Sequence, residues 1–225
     1  MSIIQKNILV IKESLPQGVE LIAVSKTKPE TDILEAYNAG QLVFGENKAL
    51  EMRDKYANLP KDIQWHFIGH LQSNKIKYIA PFVSLIHSVD SLKLLQEINK
   101  EAIKNNRIIN CLLQFYIAKE DTKFGLDEAE ASTLLESDEF NLLKNIQICG
   151  VMGMATFTDN QMQIRDEFRH LKAIFNNLKQ TFFINNSSFQ HISMGMTDDY
   201  KIAIEEGSTL VRIGSAIFGN RIYNH

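Results

Sequence analysis

Along this chain, short apolar runs rich in β-branched residues alternate with longer segments whose apolar positions recur at helical spacing. The short runs are Val19–Ser25, Gln41–Gly45, Ile63–Gly69, Val83–Val89, Ile108–Tyr116, Ile146–Gly153, Phe189–Gly195 and Thr209–Gly214. Between them lie amphipathic segments at Glu30–Ala39, Lys48–Ala57, Ser91–Asn105, Asp127–Ser137, Gln161–Lys179 and Asp198–Glu206. A helical pattern also opens the chain, in MSIIQKNILVIKESL. Several short runs are apolar without clean alternation, as parallel strands are when both faces are covered. Strands alternating with helices in this way predict a closed (β/α)₈ barrel, with an open doubly wound sheet as the rival. The barrel is favoured because glycines and polar residues collect where the runs end. In a barrel those C-terminal ends meet at one face, where active sites sit.

Composition adds limits rather than a function. Of 225 residues, 44% are hydrophobic and 23% charged, enough to fill an ordinary globular core. With 4 prolines and no low-complexity stretch, residues 1–225 are expected to form a single barrel domain. A net charge of −3 argues against nucleic acid or an anionic membrane as partner. Cys111 and Cys149 stand far apart, without metal or disulfide spacing, so a reducing, cytoplasmic setting is expected. No stretch approaches the roughly twenty apolar residues that span a bilayer, and the N-terminus lacks a cleavable signal pattern.

The chemistry gathers at the strand ends. After the seventh run comes SMGMTDDYKIAIEEG, in which Thr197 suits the N-cap of the next helix and Asp198 and Asp199 its first turn. After the eighth comes RIGSAIFGN, with Gly214 and Ser215 opening a short helical turn. Glycine lets backbone N–H groups approach an anion, and these two loops are the usual phosphate cradle of such barrels. Two ordinary helix caps would give the same pattern. Arg212 sits inside an apolar strand and needs an acceptor, either a carboxylate behind the sheet or a ligand atom at the mouth. In AVSKTKPE, Lys26 and Lys28 end the first strand. A partly desolvated lysine there becomes a nucleophile for imine formation; a solvated strand end is the plain alternative. A strand-end lysine, a phosphate cradle and a buried arginine at one mouth together describe a site for pyridoxal 5′-phosphate.

The stretches AVSKTKP, FGEN, WHFIGHLQSNK, HISMGMTDDY and VRIGSAIFG closely resemble the pyridoxal phosphate homeostasis protein family across essentially the whole chain. That resemblance implies a barrel like the N-terminal domain of alanine racemase, holding pyridoxal 5′-phosphate as an internal aldimine. It implies Lys26 as the Schiff-base lysine and Asn47 as a contact near the cofactor. By the same resemblance Thr197, Gly214 and Ser215 hold the phosphate, and Arg212 faces the pyridine nitrogen. An arginine there does not readily give up a proton, so the ring stays a restrained electron sink. The chain departs from the family where Thr197 replaces a common serine, Lys48 an aromatic residue and Thr156 a proline. The resemblance further implies intracellular cofactor homeostasis without turnover, by a monomer that meets apo enzymes transiently.

Other candidates are weaker. His66 and His70 are four apart, but they fall on a strand and its exit, and no carboxylate or thiol motif completes a metal site. His66 lines the cofactor pocket or is a hydrogen-bonded core histidine. Lys123 is a second lysine near the mouth or a plain loop lysine. The rival functions are a racemase or similar enzyme using the same cofactor, and a barrel isomerase or lyase with Lys26 as its imine-forming group. A two-base racemase needs an acid/base group on the opposite ligand face. The chain, ending at His225 soon after strand eight, is expected to leave no room for an added domain that supplies one.

Overall fold

The computed structural model describes residues 1–119 and 125–219. Lys123 and the six residues from 220 onward lie outside the described residues. Within them, eight parallel strands close into a barrel in sequence order: β1 (Glu20–Val24), β2 (Val43–Glu46), β3 (Gln64–Phe67), β4 (Leu85–Val89), β5 (Ile109–Gln114), β6 (Ile146–Met152), β7 (His191–Ser193) and β8 (Leu210–Ile213). Closure comes from β1, which pairs with β2 on one side and β8 on the other, Ile22 standing opposite Arg212. Seven strands fall inside one of the eight apolar runs, β2 extends one residue past its run to Glu46, and the doubly wound alternative is set aside.

Helices α1 (Ile3–Ser14), α2 (Glu30–Asn38), α3 (Ala49–Asn58), α4 (Leu92–Lys104), α5 (Glu128–Glu136), α6 (Asp138–Asn141), α7 (Gln161–Thr181), α8 (Tyr200–Glu205) and α9 (Ser215–Phe218) accompany the strands. Local chemistry sets several starts. Ser2 and Gln5 form a capping box on α1, and Asp127 and Glu130 form another on α5. Such a cap stabilises a helix by about 1 kcal/mol. Along α7, Ile164, Phe168, Leu171, Phe175 and Leu178 are buried at helical spacing, which makes it the expected outer helix. The 3₁₀ segment Ser73–Tyr78 and the short α6 were not legible, since they bury one residue and none respectively.

Two apolar regions result. The larger lies between strands and helices. A smaller cluster of Ile22, Val43, Leu85, Leu112, Cys149, Met152 and Leu210 comes from strands alone and fills the barrel interior. Side chains two apart on a strand share a face, so His87 stands beyond Leu85 and Arg212 beyond Leu210, toward the strands' C-terminal ends. Gly150 resolves a shift of register between β5 and β6. Its φ is +150°, and a Cβ there would meet the His191 carbonyl oxygen at 1.8 Å.

Candidate functional site

At the C-terminal end of the barrel lies a cavity of about 700 Å³. Lys26, Asn47, Thr197, Arg212, Gly214 and Ser215, the residues singled out from sequence, all line it. They come from four strand ends: Lys26 follows β1, Asn47 follows β2, Thr197 follows β7, and Arg212 with Gly214 and Ser215 belongs to β8 and its exit.

Lys26 is half-buried, in a backbone held on both sides. Lys28 is also half-buried, rather than reaching for solvent. Its Nζ donates to the carbonyls of Phe218 at 2.8 Å and Gly219 at 3.1 Å, at the C-terminal end of α9 where a cation is favourable. Gly69 lets the exit of β3 pass close to Asn47, since a Cβ there would fall 2.5 Å from the Asn47 Cβ.

The loops after β7 and β8 are tied to each other. Thr197 Oγ1 accepts the Gly214 N–H at 3.4 Å and the Ser215 hydroxyl at 3.1 Å. The expectation that Thr197 caps α8 is corrected. Asp199 occupies that cap position, and its carboxylate accepts the Met196 N–H at 2.5 Å, which folds the loop back on itself. Burial raises the Asp199 carboxyl above its ordinary range, opposed by that N–H and by Arg212. Thr197 is thereby released to face Ser215.

Arg212 is 4% exposed. Its guanidinium donates to Ser193 Oγ at 2.5 Å and to the Gly153 carbonyl at 3.1 Å, with no carboxylate within 4.0 Å among the described residues. The ion pair behind the sheet does not form. Burial lowers its pKa to about 10, with Asp199 opposing, so it remains a cation at neutral pH. Ser193 in turn lies 2.9 Å from His87 Nδ1, and His87 Nε2 lies 3.1 Å from His66 Nδ1. Arginine only donates, so Ser193 Oγ accepts from it, and the Ser193–His87 and His87–His66 contacts each carry one proton. Burial holds His66 at about 3, with His191 adding to the depression, and His87 well below its ordinary value, so both rings are neutral. His66 is a hydrogen-bonded core histidine beneath the mouth. His70 is exposed, 3.7 Å from Asp90, and among the described residues no three His, Cys, Asp or Glu gather as a metal site.

Sequence reasoning missed His87, Ser193 and Gln114, which ends β5 at the mouth. It also missed Glu46, Glu51 and Lys55. For the strand residues the available signal was a polar residue within an apolar run, as in LIHSV, or directly after one, as Glu46 after QLVFG. Glu46 is fully buried beside Lys55 at 2.7 Å and Ser25 at 2.6 Å. Burial pushes its carboxyl up, and Lys55 and Ser25 pull it down.

The donor set fits pyridoxal 5′-phosphate: an amine for its aldehyde, hydroxyls and the start of α9 for its phosphate, and a desolvated guanidinium for a ring acceptor. The profile described as "Alanine racemase, N-terminal domain" matches residues 1–221. A pyridoxal phosphate homeostasis protein of Aquifex aeolicus is 41% identical over 206 residues, spanning 91% of this chain and 88% of the relative. Another, of Vibrio alginolyticus, is 38% identical over 100% of both chains. Among solved structures, PipY of Synechococcus elongatus with PLP bound aligns at TM-score 0.87 and 34% identity, covering 96% of this chain and 100% of that one. The alanine racemase of Bartonella henselae shares the fold at TM-score 0.70 and 15% identity, with 97% of this chain and 58% of that one covered. The chain belongs to the alanine racemase N-terminal domain family and, within it, to the pyridoxal phosphate homeostasis proteins.

Proposed function

We propose that this protein holds pyridoxal 5′-phosphate at the barrel mouth through Lys26 and serves the cell's homeostasis of that cofactor without catalytic turnover. One observation carries the reading: Lys26, Arg212 and the Thr197–Gly214–Ser215 group line a single cavity of about 700 Å³, within the range of small-ligand sites. When bound, the cofactor supplies an aldehyde carbon that condenses with a lysine amine, forming a C=N bond and releasing water.

The chain's own residues do the rest. Thr197, Ser215 and the Gly214 and Ser215 amides would hold the phosphate, and Asn47 would pack beside the ring. Arg212 would donate to the ring nitrogen and retain its proton, which would restrain carbanion chemistry. Ser193 and the Gly153 carbonyl hold the guanidinium in place for that task. The homeostasis function of the relatives and the bound PLP of PipY support this assignment. Its partners are the small-molecule cofactor and, transiently, apo enzymes that take it up. A monomer in the cytoplasm, where the buried Cys111 and Cys149 stay reduced, belongs to the same reading. Among the described residues no helix is long and apolar enough to cross a membrane.

A second reading, a racemase, has the shared barrel in its favour. The test is an absorption spectrum of wild type beside Lys26→Ala, followed by incubation with L-alanine. A cofactor band reducible by borohydride in wild type and lost in the variant is expected. A colourless wild type that takes up no cofactor overturns both readings; sustained loss of optical activity replaces the homeostasis reading with the racemase.

A further inference from the structure

We propose that Glu46, Glu51 and Lys55 are positioning residues that hold the Lys26 backbone in register for covalent capture of the cofactor; this rests on the Lys26 assignment above. The two peptide units flanking the Lys26 Cα are each gripped by a side chain of α3. The unit before it presents the Ser25 carbonyl to Lys55 Nζ at 2.8 Å. The unit after it presents the Thr27 N–H to Glu51 Oε1 at 2.6 Å. A single ammonium joins the two grips, because Lys55 Nζ also meets Glu51 Oε1 at 2.8 Å and Glu46 Oε1 at 2.7 Å. The Ser25 hydroxyl closes the group by donating to Glu46 Oε1 at 2.6 Å.

Three features separate this group from an ordinary fold-stabilising ion pair. First, Glu46 is fully buried with Oε2 lacking a hydrogen-bond partner among the described residues, and well-packed apolar residues stabilise a core as well as such a pair does. Second, Thr27 has φ +65°, an unfavourable conformation for a β-branched residue, and its N–H is the one Glu51 holds. That turn directs Lys26 and Lys28 to the same cavity while Pro29 leads into α2. Third, Glu46 directly precedes Asn47, so the same carboxylate anchors two mouth residues on neighbouring strands. An amine whose Cα drifts by about 1 Å loses on the order of a hundredfold in rate through lost orientation.

The experiment compares two ligands on protein stripped of cofactor. Pyridoxal 5′-phosphate reports capture, through the rate of the absorbance change and the borohydride-trapped adduct at Lys26. Pyridoxine 5′-phosphate, which carries a hydroxymethyl group in place of the aldehyde, reports the non-covalent site alone. Lys55→Met and Glu51→Ala are expected to slow capture about tenfold or more, with the pyridoxine 5′-phosphate dissociation constant within about twofold of wild type. Glu51→Gln, which keeps an acceptor for Thr27, is expected to restore most of the rate. Should Lys55→Met fail to fold, Glu51→Ala, at a half-buried position, decides the question alone. Unchanged capture in Glu51→Ala, or equal losses for both ligands, overturns the inference while Lys26 stands. A wild type that traps no cofactor at Lys26 overturns the Lys26 assignment and this inference with it.

Discussion

Arg212 Nη1 donates to Ser193 Oγ at 2.5 Å, across the neighbouring strands β8 and β7. That bond links the mouth of the barrel to a buried line of neutral groups, Ser193, His87 and His66. The guanidinium therefore reaches the cavity as a donor already anchored from below.

Ser193→Ala removes the acceptor of a buried cation and the hydrogen-bond partner of His87 Nδ1. A loss of about 1–3 kcal/mol is expected, read as a fall in thermal midpoint of about 2–4 °C per kcal/mol for a chain this size. The bound-cofactor absorption band is expected to shift as well, because Arg212 loses its anchor. A band and midpoint both equal to wild type would falsify this role for the serine.

The two lysines of AVSKTKPE differ in consequence. Lys28→Ala deletes the bonds to the Phe218 and Gly219 carbonyls, so it loosens the end of α9. Its expected result is weaker retention of pyridoxal 5′-phosphate by a few-fold, with a borohydride-stable adduct still forming at Lys26. Mass spectrometry of the reduced protein checks this, and an adduct that vanishes in Lys28→Ala reverses the assignment.

Thr197→Val removes the oxygen that ties the β7 and β8 loops. Affinity for pyridoxal 5′-phosphate is expected to fall about tenfold, equivalent to about 1.4 kcal/mol. Affinity for pyridoxal, which lacks the phosphate, is expected to stay level. Equal losses for the two ligands in a titration would place Thr197 outside the phosphate site.

Acid should destabilise the fold through the buried histidines. His66 has its folded pKa lowered by burial from 6.5 to about 3. Above pH 6.5 neither state binds the proton. Between 6.5 and about 3 the unfolded chain binds it while the folded chain does not, so stability falls with falling pH over that window. The slope approaches about 1.4 kcal/mol per pH unit for this group alone, and His87 shifts in the same direction. Urea unfolding from pH 7 to pH 4 measures the slope, and His66→Asn is expected to flatten it. An unaltered slope in that variant means the ring is not held neutral.

The barrel was legible because its signals are local. Each strand shows as an apolar run and each outer helix as a 3.6-residue period, so seven strands fell within the expected runs and β2 overran its run only by Glu46. The mouth residues were legible for a related reason: a parallel barrel brings every strand's C-terminal end to one face, so glycines, Lys26 and Thr197 at run ends share a cavity. Periodicity alone left Lys26 and Lys28 equivalent; the family resemblance separated them.

What tertiary structure alone decided is which polar groups meet. Thr197 reads as a helix cap, yet the preference of Asp199 for the Met196 N–H turns its hydroxyl toward Ser215. Arg212 reads as a cation in need of a carboxylate, yet the barrel interior offers Ser193 and Gly153 instead. Glu46 and Lys55 read as a strand end and a helix face, and closing the barrel brought both to Ser25, Glu46 to its hydroxyl and Lys55 to its carbonyl. Hydrophobic period is written into neighbouring residues, whereas a buried polar group takes whichever partner the register of distant strands brings within 3 Å.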